Sequence, residues 1–368
     1  MIILGIESSC DECSLALVER GRTIISHVIH SQIPDHEKYG GVVPEIASRK
    51  HTEWILPLYH RCMAEAGHPR TSEGTATPEH SVRPEHSVRP EHSVRPEHSV
   101  RPEQIDAVAV TTEPGLSGSL LVGASFAKGL SLSLGVPLIA VDHILAHLYA
   151  PRIGTGLTPP YLGLLLSGGH TIICRVDEWD RVDVLGSTTD DACGEAFDKI
   201  AKFMNFGYPG GVAVERLAAH GDPYAYDFPE SRLPESAHRY DVSYSGLKTA
   251  VTAQRERFRR PEVEETPENI AASFQRVAID MVLRRVERAI GDTGITRLAV
   301  GGGVAANSYL RKRLSQFSEV DVYIPPMQLC TDNAAMIAGI GYEYAKAGRY
   351  ASLDVAVNAK VAGYRRQG

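Results

Sequence analysis

The sequence lacks a long apolar run, although hydrophobic residues make up 43% of its 368 positions. No stretch approaches the about 18 consecutive apolar residues that cross a membrane as a helix, so no membrane partner is predicted. It also lacks a basic excess, because 38 Lys and Arg stand against 45 Asp and Glu, for a net charge of -7. This balance excludes a protein held on nucleic acid by overall positive charge. A nucleic-acid partner would have to meet a local patch, of which residues 255–260 form the densest.

Cysteine is scarce as well. Six cysteines scattered over a chain of this length do not form a disulfide framework. Cys10 and Cys13 have the spacing of half a zinc site, but no second pair completes it. The first strand begins at once, without the basic and long apolar stretches of a signal peptide. We therefore expect a cytoplasmic protein with reduced thiols.

One segment differs in composition from the rest of the chain. The unit Pro-Glu-His-Ser-Val-Arg occurs four times from Pro78 and closes with Pro102 and Glu103. A proline at every sixth position blocks a helix, and one valine per unit cannot build a core. Histidine-rich tracts sometimes bind metals. We instead predict a disordered insertion outside the fold, over residues 68–103.

Outside this insertion, the same order of elements occurs in both halves of the chain. Three strands are predicted at residues 2–6, 14–18 and 23–28, and three more at 161–166, 171–176 and 182–185. In each set a polar loop joins the first two strands and a turn joins the last two. Length alone allows about two domains of roughly 150 residues each. We therefore predict an α/β protein of two duplicated lobes, residues 1–150 and 151–368, with a ligand in the cleft between them.

Four glycine-rich or polar loops follow predicted strands, at residues 6–12, 113–118, 167–170 and 301–307. Glycine adds no Cβ, so the backbone N–H groups of such loops can approach a phosphate closely. None of the loops has the P-loop spacing or the dinucleotide fingerprint. Together they favour a nucleotide site, for which Asp198 is either a hydrogen-bond acceptor or part of a solvated helix face.

Two histidines, His143 and His147, lie four residues apart after a predicted strand. On a helix this spacing points both imidazoles the same way, so they can share one metal ion, with Asp332 as a candidate third ligand. Such a set leaves coordination positions open for a substrate oxygen. The alternative is a pair of helix-surface histidines with ordinary hydrogen bonds. The zinc-protease signature is incomplete, because Ile144 stands where that motif needs Glu.

Seven motifs stand in order along the chain: GIESSCDE at 5–12, YGGVVPE at 39–45, His143-x-x-x-His147, LLSGGHT at 165–171, GEAFDK at 194–199, YSGLKT at 244–249 and GGGVAAN at 301–307. Together they closely resemble the motifs of one family, the bacterial TsaD enzymes. The resemblance runs from residue 3 to residue 363 and leaves out the repeats. The sequence departs from the family pattern at two positions. Glu215 stands where many relatives have Asp, and Cys13 replaces a usual Thr or Ser.

The resemblance implies an actin-like ATPase fold of the sugar-kinase and heat-shock-protein type. It also implies an acyltransferase of tRNA modification, a tRNA N6-adenosine threonylcarbamoyltransferase. The group would move from L-threonylcarbamoyladenylate to N6 of adenosine 37 in tRNAs that read ANN codons, giving t6A and AMP. Family members generally work with a TsaB-like subunit and a TsaE-like ATPase, so both are expected partners.

Roles for individual residues follow from the same resemblance. One divalent metal ion, Fe2+ ahead of Zn2+, would be held by His143, His147 and Asp332. The adenylate would be bound by Leu165, Leu166, Ser167, Gly168, Gly169, Asp198, Gly211, Glu215 and Asn307. The chemistry, and not the resemblance, makes Asp11 and Glu12 in the first loop the candidate catalytic residues: the general base is one of these two or an oxygen bound to the metal.

Two other functions stay open from the residues. A sugar or acetate kinase of the same superfold would use the glycine loops but would not need the histidine pair. A metalloprotease would use the histidines but would not need the nucleotide loops.

Overall fold

The computed structural model describes residues 1–67, 100–230, 233 and 238–360. Its strands are β1 (Ile2–Glu7), β2 (Glu12–Glu19), β3 (Thr23–Ser31), β4 (Ala107–Glu113), β5 (Leu138–Asp142), β6 (Tyr161–Leu166), β7 (Thr171–Glu178), β8 (Arg181–Ser187), β9 (Arg297–Gly301) and β10 (Asp321–Tyr323). Its helices are α1 (Ile33–Glu37), α2 (Pro44–Gly67), α3 (Ser117–Leu134), α4 (His143–Tyr149), α5 (Cys193–Phe203), α6 (Gly210–Ala218), α7 (Ser245–Ala253), α8 (Arg255–Phe258), α9 (Pro267–Thr293), α10 (Ser308–Leu314) and α11 (Ala334–Lys346). Among these residues, no helix combines the length with the apolar character that crossing a membrane requires.

In the described part of the chain, two five-stranded sheets have the same topology. The first has the order β3-β2-β1-β4-β5 and the second the order β8-β7-β6-β9-β10. In each sheet, the first three strands along the chain pair antiparallel. The other two strands join in parallel. The predicted α/β fold with two duplicated lobes is therefore confirmed.

The first unit of the chain comprises Met1–Asp35, Val42–Thr155 and Asp332–Val361 and contains the first sheet. Strands β1 and β4 are apolar runs buried on both faces, because helices cover the sheet. Helices α2 and α3 pack together, and α11 packs against β1. Gly5 permits this last approach, since a Cβ there would lie 2.7 Å from the Ala338 nitrogen.

The two units differ from the predicted domains, 1–150 and 151–368, mainly in the placement of helix α11. It lies near the end of the chain and yet belongs to the first unit, whereas His36–Gly41 and Gly156–Thr331 belong to the second. Residues 334–341 of α11 are all buried, so the helix is apolar on nearly every side. Such a helix can cover either sheet, and only its packing on β1, β2 and β4 assigns it.

In the second unit, β6 is the central strand of the sheet, and α9 is the long helix of the core. Thr266 caps α9, because its side-chain oxygen accepts a hydrogen bond from the Asn269 nitrogen at 3.1 Å. Phe274 of α9 packs edge-on against Phe197 of α5, with ring centroids 5.0 Å apart. Helix α6 also packs on α9, so α5 and α6 are both fixed to this core.

The predicted insertion, residues 68–103, has an earlier end in the structure. Residues 68–99 lie outside the described residues, but Val100 is buried, with 6% exposure, in the core of the first unit. Its backbone N–H donates to the Ala66 carbonyl at 3.0 Å, and Pro102–Gln104 form a 3-10 turn. Residues 100–103 therefore belong to the folded unit. The sequence could not reveal that Val100 packs in the core, because Val100 has the same neighbours in its repeat unit as the valines of the earlier units.

Replacing residues 68–99 by a short Gly/Ser linker should leave the thermal midpoint of unfolding nearly unchanged. The Ala66–Val100 hydrogen bond holds the two ends together, and the length of a connection between fixed ends affects stability little. Extending the replacement to residue 103 removes Val100, whose burial contributes about 1.5–3 kcal/mol, and should lower the midpoint by roughly 3–10 °C. Calorimetry of both variants measures this, and a large drop in the first would contradict it.

Candidate functional site

Helix α4 begins directly after β5, and Asp142 sets its start. The Asp142 carboxylate accepts hydrogen bonds from the backbone nitrogens of Ile144 and Leu145, at 2.7 and 3.1 Å, and so caps the helix. His143 is therefore the first residue of α4, and His147 lies one turn later on the same side. Their ring centroids are 4.5 Å apart.

The start of α11 is fixed by two hydrogen bonds. Asn333 caps the helix, because its side-chain oxygen accepts a hydrogen bond from the Met336 nitrogen at 3.0 Å. Ser14 Oγ of β2 accepts a second one from the Ala334 nitrogen, also at 3.0 Å. These bonds hold the beginning of α11 at β2 and set the position of Asp332, which directly precedes the cap.

Asp332 and the two histidines form a compact group, the His-His-Asp cluster (His143, His147 and Asp332). Asp332 Oδ1 lies 3.0 Å from His147 Nε2 and 3.4 Å from His143 Nε2. One ligand atom from each residue lies within 4.8 Å of the others. Two imidazole nitrogens and a carboxylate oxygen are a donor set that suits Fe2+ or Zn2+ and leaves positions open. The cluster fits one divalent cation and unites the three residues predicted as metal ligands.

The charges in the His-His-Asp cluster act strongly on one another. Burial raises the pKa of the Asp332 carboxyl, but the two histidines outweigh burial and hold this pKa well below its usual range. Burial lowers the pKa of His143, while the carboxylates of Asp332 and Glu7 raise it well above its ordinary value. Burial and the positive charge of His143 lower the pKa of His147. Asp332 is therefore ionised, which is the form that binds a cation.

Glu7 is a buried carboxylate beside the cluster to which the sequence analysis assigned no role. Its side chain, at the end of β1, is 0% exposed. Oε2 accepts a hydrogen bond from Thr111 Oγ1 at 2.5 Å and lies 3.1 Å from His143 Nδ1. Oε1 accepts one from the Ser9 nitrogen at 2.6 Å. The available signal was a carboxylate that ends an otherwise apolar strand.

Residues 8–11, which link β1 to β2, are fixed by neighbouring segments. Ser8 Oγ donates a hydrogen bond to the Ser119 carbonyl at 3.0 Å. His51 Nε2 donates one to the Cys10 carbonyl, also at 3.0 Å. These two hydrogen bonds attach the loop to α3 and α2 and help to set where the predicted catalytic residues at its end lie.

Asp11 and Glu12 are these predicted catalytic residues. Ser31 Oγ donates to Glu12 Oε1 at 2.8 Å, while Glu12 Oε2 has no hydrogen-bond partner in the described part of the chain. Burial raises the pKa of Glu12 well above its ordinary value, and the charges of Asp11 and Asp332 raise it further. The catalytic role stays a prediction.

The end of β6 and the turn after it contain five predicted adenylate residues, which are Leu165, Leu166, Ser167, Gly168 and Gly169. The two leucines are buried and the two glycines are exposed. The Ser167 nitrogen donates to the His170 carbonyl at 2.9 Å, which closes the turn. A Cβ at either glycine would meet no described atom within 4 Å, so the backbone of the turn is open to a ligand.

Strand β9 lies beside β6 in parallel, with Gly301 paired to Leu165. The glycine loops after these two strands therefore lie next to each other. Gly302 has φ of +87°, and a Cβ there would lie 3.1 Å from Leu165 Cδ1 and closer still to the Leu166 carbonyl. The loop needs glycine at this position for its backbone conformation and for its packing.

Asp198, Gly211 and Glu215 lie on α5 and α6. Asp198 Oδ1 accepts a hydrogen bond from the Gly210 nitrogen at 2.9 Å, at the start of α6, directly before Gly211. Glu215 Oε1 accepts one from the Ser308 nitrogen at 2.8 Å, at the start of α10. Both carboxylates thus bind the starts of neighbouring helices, a role that the sequence analysis did not identify. Their ligand contacts stay predictions.

Asn307 also has partners inside the second unit. Its Oδ1 caps α10 by accepting from the Leu310 nitrogen at 3.0 Å, and its Nδ2 donates to Gln275 Oε1 at 2.8 Å. The side chain is buried, with 6% exposure. The predicted adenylate contact of Asn307 would therefore have to coexist with two internal hydrogen bonds.

The densest basic patch, residues 255–260, is offset by acidic partners. Its ion pairs are Arg255–Glu265 at 2.7 Å, Arg259–Glu256 at 3.0 Å and Arg260–Asp227 at 3.0 Å. Arg257 lies over the Phe258 ring, 5.8 Å from its centroid. The patch therefore offers less positive charge to a phosphate backbone than its sequence indicates.

Two sheets of equal topology in two units define the class, a two-lobed α/β protein with the actin-like ATPase fold. The crystal structure of full-length HypF in its phosphate- and nucleotide-bound form is similar, with a TM-score of 0.60 and 13% sequence identity. This similarity covers 95% of this chain and 56% of the HypF chain. At that identity it shows the fold alone.

Sequence comparison identifies the family. The TsaD family model, described as tRNA N6-adenosine threonylcarbamoyltransferase, matches residues 23–72 and 91–339. A relative of that name from Treponema denticola is 49% identical over 368 residues, which cover 100% of this chain and 99% of the relative. Another from Borrelia duttonii is 46% identical over 366 residues, which cover 99% of this chain and 98% of the relative. The chain belongs to the TsaD family and is a transferase, as its motifs predicted.

Proposed function

We propose that this chain transfers the threonylcarbamoyl group of L-threonylcarbamoyladenylate to N6 of adenosine 37 in tRNAs that read ANN codons, giving t6A and AMP. Family membership along the whole chain supports the proposal. The single structural observation that carries it is the buried His-His-Asp cluster, which fits a divalent cation. A kinase of the same fold would have no use for such a cluster.

The proposed metal centre consists of His143, His147 and Asp332, which would hold one divalent ion, Fe2+ ahead of Zn2+. When bound, such an ion supplies a Lewis acid that offsets negative charge on a departing phosphate. The chain contributes a buried pair of imidazoles, an ionised carboxylate and a hydrogen-bonded loop beside them.

In the proposed reaction, the exocyclic amine of the adenosine attacks the carbamoyl carbon, the bond from that carbon to the phosphate oxygen breaks, and AMP leaves. The amine must also lose a proton. Glu12 is the proposed acceptor, with Asp11 as the alternative, because Glu12 Oε2 has no hydrogen-bond partner among the described residues. The backbone N–H groups of Gly168 and Gly169, in the turn after β6, are the proposed donors to oxygen charge that develops on the adenylate.

Partners follow from the reaction and from the resemblance. The proposed reaction requires tRNA and the adenylate as substrates and, because tRNA is the acceptor, we place it in the cytoplasm. A TsaB-like subunit and a TsaE-like ATPase are proposed partners on the resemblance of the seven motifs. The ion pairs of residues 255–260 leave that patch weakly basic, so these partners are candidates to complete the tRNA-binding surface.

Three assays on one preparation test the proposed function. The chain with TsaB-like and TsaE-like subunits, unmodified tRNA and synthetic adenylate should form t6A, detected by mass spectrometry of digested tRNA. ATP-dependent sugar phosphorylation and peptide cleavage should both be absent. Family membership does not favour either alternative, and the protease signature is incomplete at Ile144. Absence of t6A with all components present, or turnover in either other assay, would contradict the proposal.

Asp198→Ala should weaken the binding of a non-hydrolysable adenylate by about tenfold or more, because a lost hydrogen bond to a ligand costs about 1–3 kcal/mol. Isothermal titration calorimetry measures the binding. Metal content should stay unchanged, because the His-His-Asp cluster belongs to the other unit. Asp198→Ala also removes the acceptor of the Gly210 nitrogen. Asp198→Asn keeps an oxygen that can accept this internal hydrogen bond, so it separates the loss of the internal bond from the loss of the carboxylate that would contact the ligand.

Glu195→Ala is the matched control for this prediction. Glu195 accepts a hydrogen bond from the Ala192 nitrogen at 3.4 Å and pairs with Lys199 at 2.9 Å, so its loss also removes contacts near the start of α5. We expect it to lower stability and to leave adenylate binding unchanged. If Asp198→Ala and Glu195→Ala bind the adenylate equally well, Asp198 makes no ligand contact.

A further inference from the structure

We propose that Glu7 is a positioning residue of the metal centre: its carboxylate holds the Nδ1–H of His143 and so directs the Nε2 lone pair of that imidazole toward the cation. The inference rests on the proposed function in one respect, that the His-His-Asp cluster holds a metal ion. Glu7 contacts Nδ1 of His143, whereas Asp332 contacts Nε2 of the same ring. Glu7 therefore acts through His143 and is separate from the three ligands.

The contacts of Glu7 define which nitrogen of His143 carries the proton. A carboxylate only accepts hydrogen bonds, and Glu7 Oε2 lies 3.1 Å from His143 Nδ1. Ser9 Oγ lies 3.2 Å from the same nitrogen and can share the hydrogen. Nδ1 must therefore carry a proton, so Nε2 is the nitrogen that gives up its proton and offers a lone pair when the ring binds a cation. Nε2 is the atom that faces Asp332, at 3.4 Å.

Glu7 is itself held so that it can only accept. Its Oε1 receives a hydrogen bond from the Ser9 nitrogen at 2.6 Å, a backbone donor that cannot reverse its direction. Its Oε2 receives one from Thr111 Oγ1 at 2.5 Å. A glutamine at position 7 would keep its oxygen at the Ser9 nitrogen and turn its NH2 toward His143 Nδ1. That donor favours the tautomer with the proton on Nε2, which blocks metal binding at that atom.

His147 provides an internal contrast. Its Nδ1 is buried and has no hydrogen-bond partner in the part of the chain that the structure describes, whereas its Nε2 lies 3.0 Å from Asp332. The orientation of His147 therefore comes from α4 and Asp332 and does not involve Glu7. Loss of the Glu7 carboxylate should disturb one of the two imidazoles and weaken metal binding without abolishing it.

Glu7→Gln should weaken Zn2+ binding to the metal-free protein by about 10–100-fold, the range for losing the outer carboxylate partner of a metal-bound histidine. Competition with a chromophoric chelator measures the dissociation constant. Thr111→Val is the matched control, because it removes a donor to the same buried carboxylate and does not touch His143. It should lower the melting midpoint as Glu7→Gln does and keep Zn2+ affinity close to that of the wild type. Equal weakening in both variants, or wild-type affinity in Glu7→Gln, would overturn the proposal.

A measurement on the wild-type chain covers the case in which Glu7→Gln does not fold. With isotope-labelled histidine and Zn2+ bound, long-range proton–nitrogen correlation spectra should show His143 with a protonated Nδ1 and a metal-bound Nε2. A metal-bound Nδ1 would overturn the proposal. Neither the Zn2+ affinity nor the tautomer depends on the transfer reaction. Failure of the wild type to form t6A would therefore count against the proposed function and leave this inference standing.

Discussion

Asp332→Asn and His143→Ala should each remove the bound metal ion and abolish threonylcarbamoyl transfer. The His-His-Asp cluster offers three protein ligands, and each substitution removes one of them. The loss of a direct ligand should exceed the about 10–100-fold loss of metal affinity that follows removal of an outer partner. Metal content after dialysis, by plasma mass spectrometry, and t6A in digested tRNA measure the two effects.

The two substitutions differ in what they do to the fold. Asp332→Asn keeps the size of the side chain, whereas His143→Ala leaves the buried Glu7 carboxylate without its imidazole partner. Breaking a buried ion pair costs about 3–5 kcal/mol, so circular dichroism must accompany the His143→Ala measurement. His60→Ala, which removes an exposed imidazole of α2, is the control and should keep its metal content. Full metal occupancy in a His143→Ala, His147→Ala double variant would refute the site.

A second large effect is expected for Gly5→Ala. The new Cβ would lie 2.7 Å from the Ala338 nitrogen and 2.9 Å from the Ala338 Cβ, and nearer still to the Ala334 carbonyl oxygen. All these atoms belong to α11, whose backbone must then move away from β1. Overpacking of this kind costs about 1–3 kcal/mol or more, which lowers the melting midpoint by roughly 2–12 °C. Because Asp332 directly precedes α11, we expect Zn2+ affinity to fall as well.

Gly129→Ala is the control for this substitution. Gly129 lies exposed on α3, where a Cβ would meet no described atom within 4 Å. Alanine stabilises a helix relative to glycine by about 0.5–1 kcal/mol, so the midpoint of this variant should rise slightly or stay the same. Thermal unfolding and chelator competition on both variants make the comparison. Wild-type midpoint and Zn2+ affinity in Gly5→Ala would show that α11 does not depend on this close approach.

The central strands β1 and β6 could be predicted because each is a short apolar run that ends in polar residues or glycine. The structure has β6 at the predicted residues, 161–166. The position of α11 could not be predicted, because a helix buried on nearly every side fits either sheet. Gly5 marks the place where a helix comes close, but a glycine in a strand does not say which helix it meets.

The His-His-Asp cluster and its neighbour Glu7 were predictable to different degrees. His143 and His147 are brought to one side of α4 by the local geometry of one helix turn, so their spacing indicated a shared ligand but left open a pair of ordinary helix-surface histidines. Glu7 could not be found in this way, because its partners Ser9, Thr111 and His143 come from separate segments. Only the parallel pairing of β1 with β4 and the placement of α4 bring them together. The bond from the Gly210 nitrogen to Asp198 likewise depends on how two helices meet.

The discontinuity of the first unit also sets an order for its assembly during translation. A nascent chain that has reached Thr155 contains both histidines of the cluster, but Asp332 and α11 have not yet been made. The face of β1 around Gly5 then has no helix to cover it, and residues 156–331 must be synthesised first. The ribosome must therefore reach Asp332 before the three proposed metal ligands can come together. On the proposed function, loading with metal is then a late event in the life of this polypeptide, and a chain cut short before Asp332 lacks one proposed ligand together with α11, the helix that packs on β1.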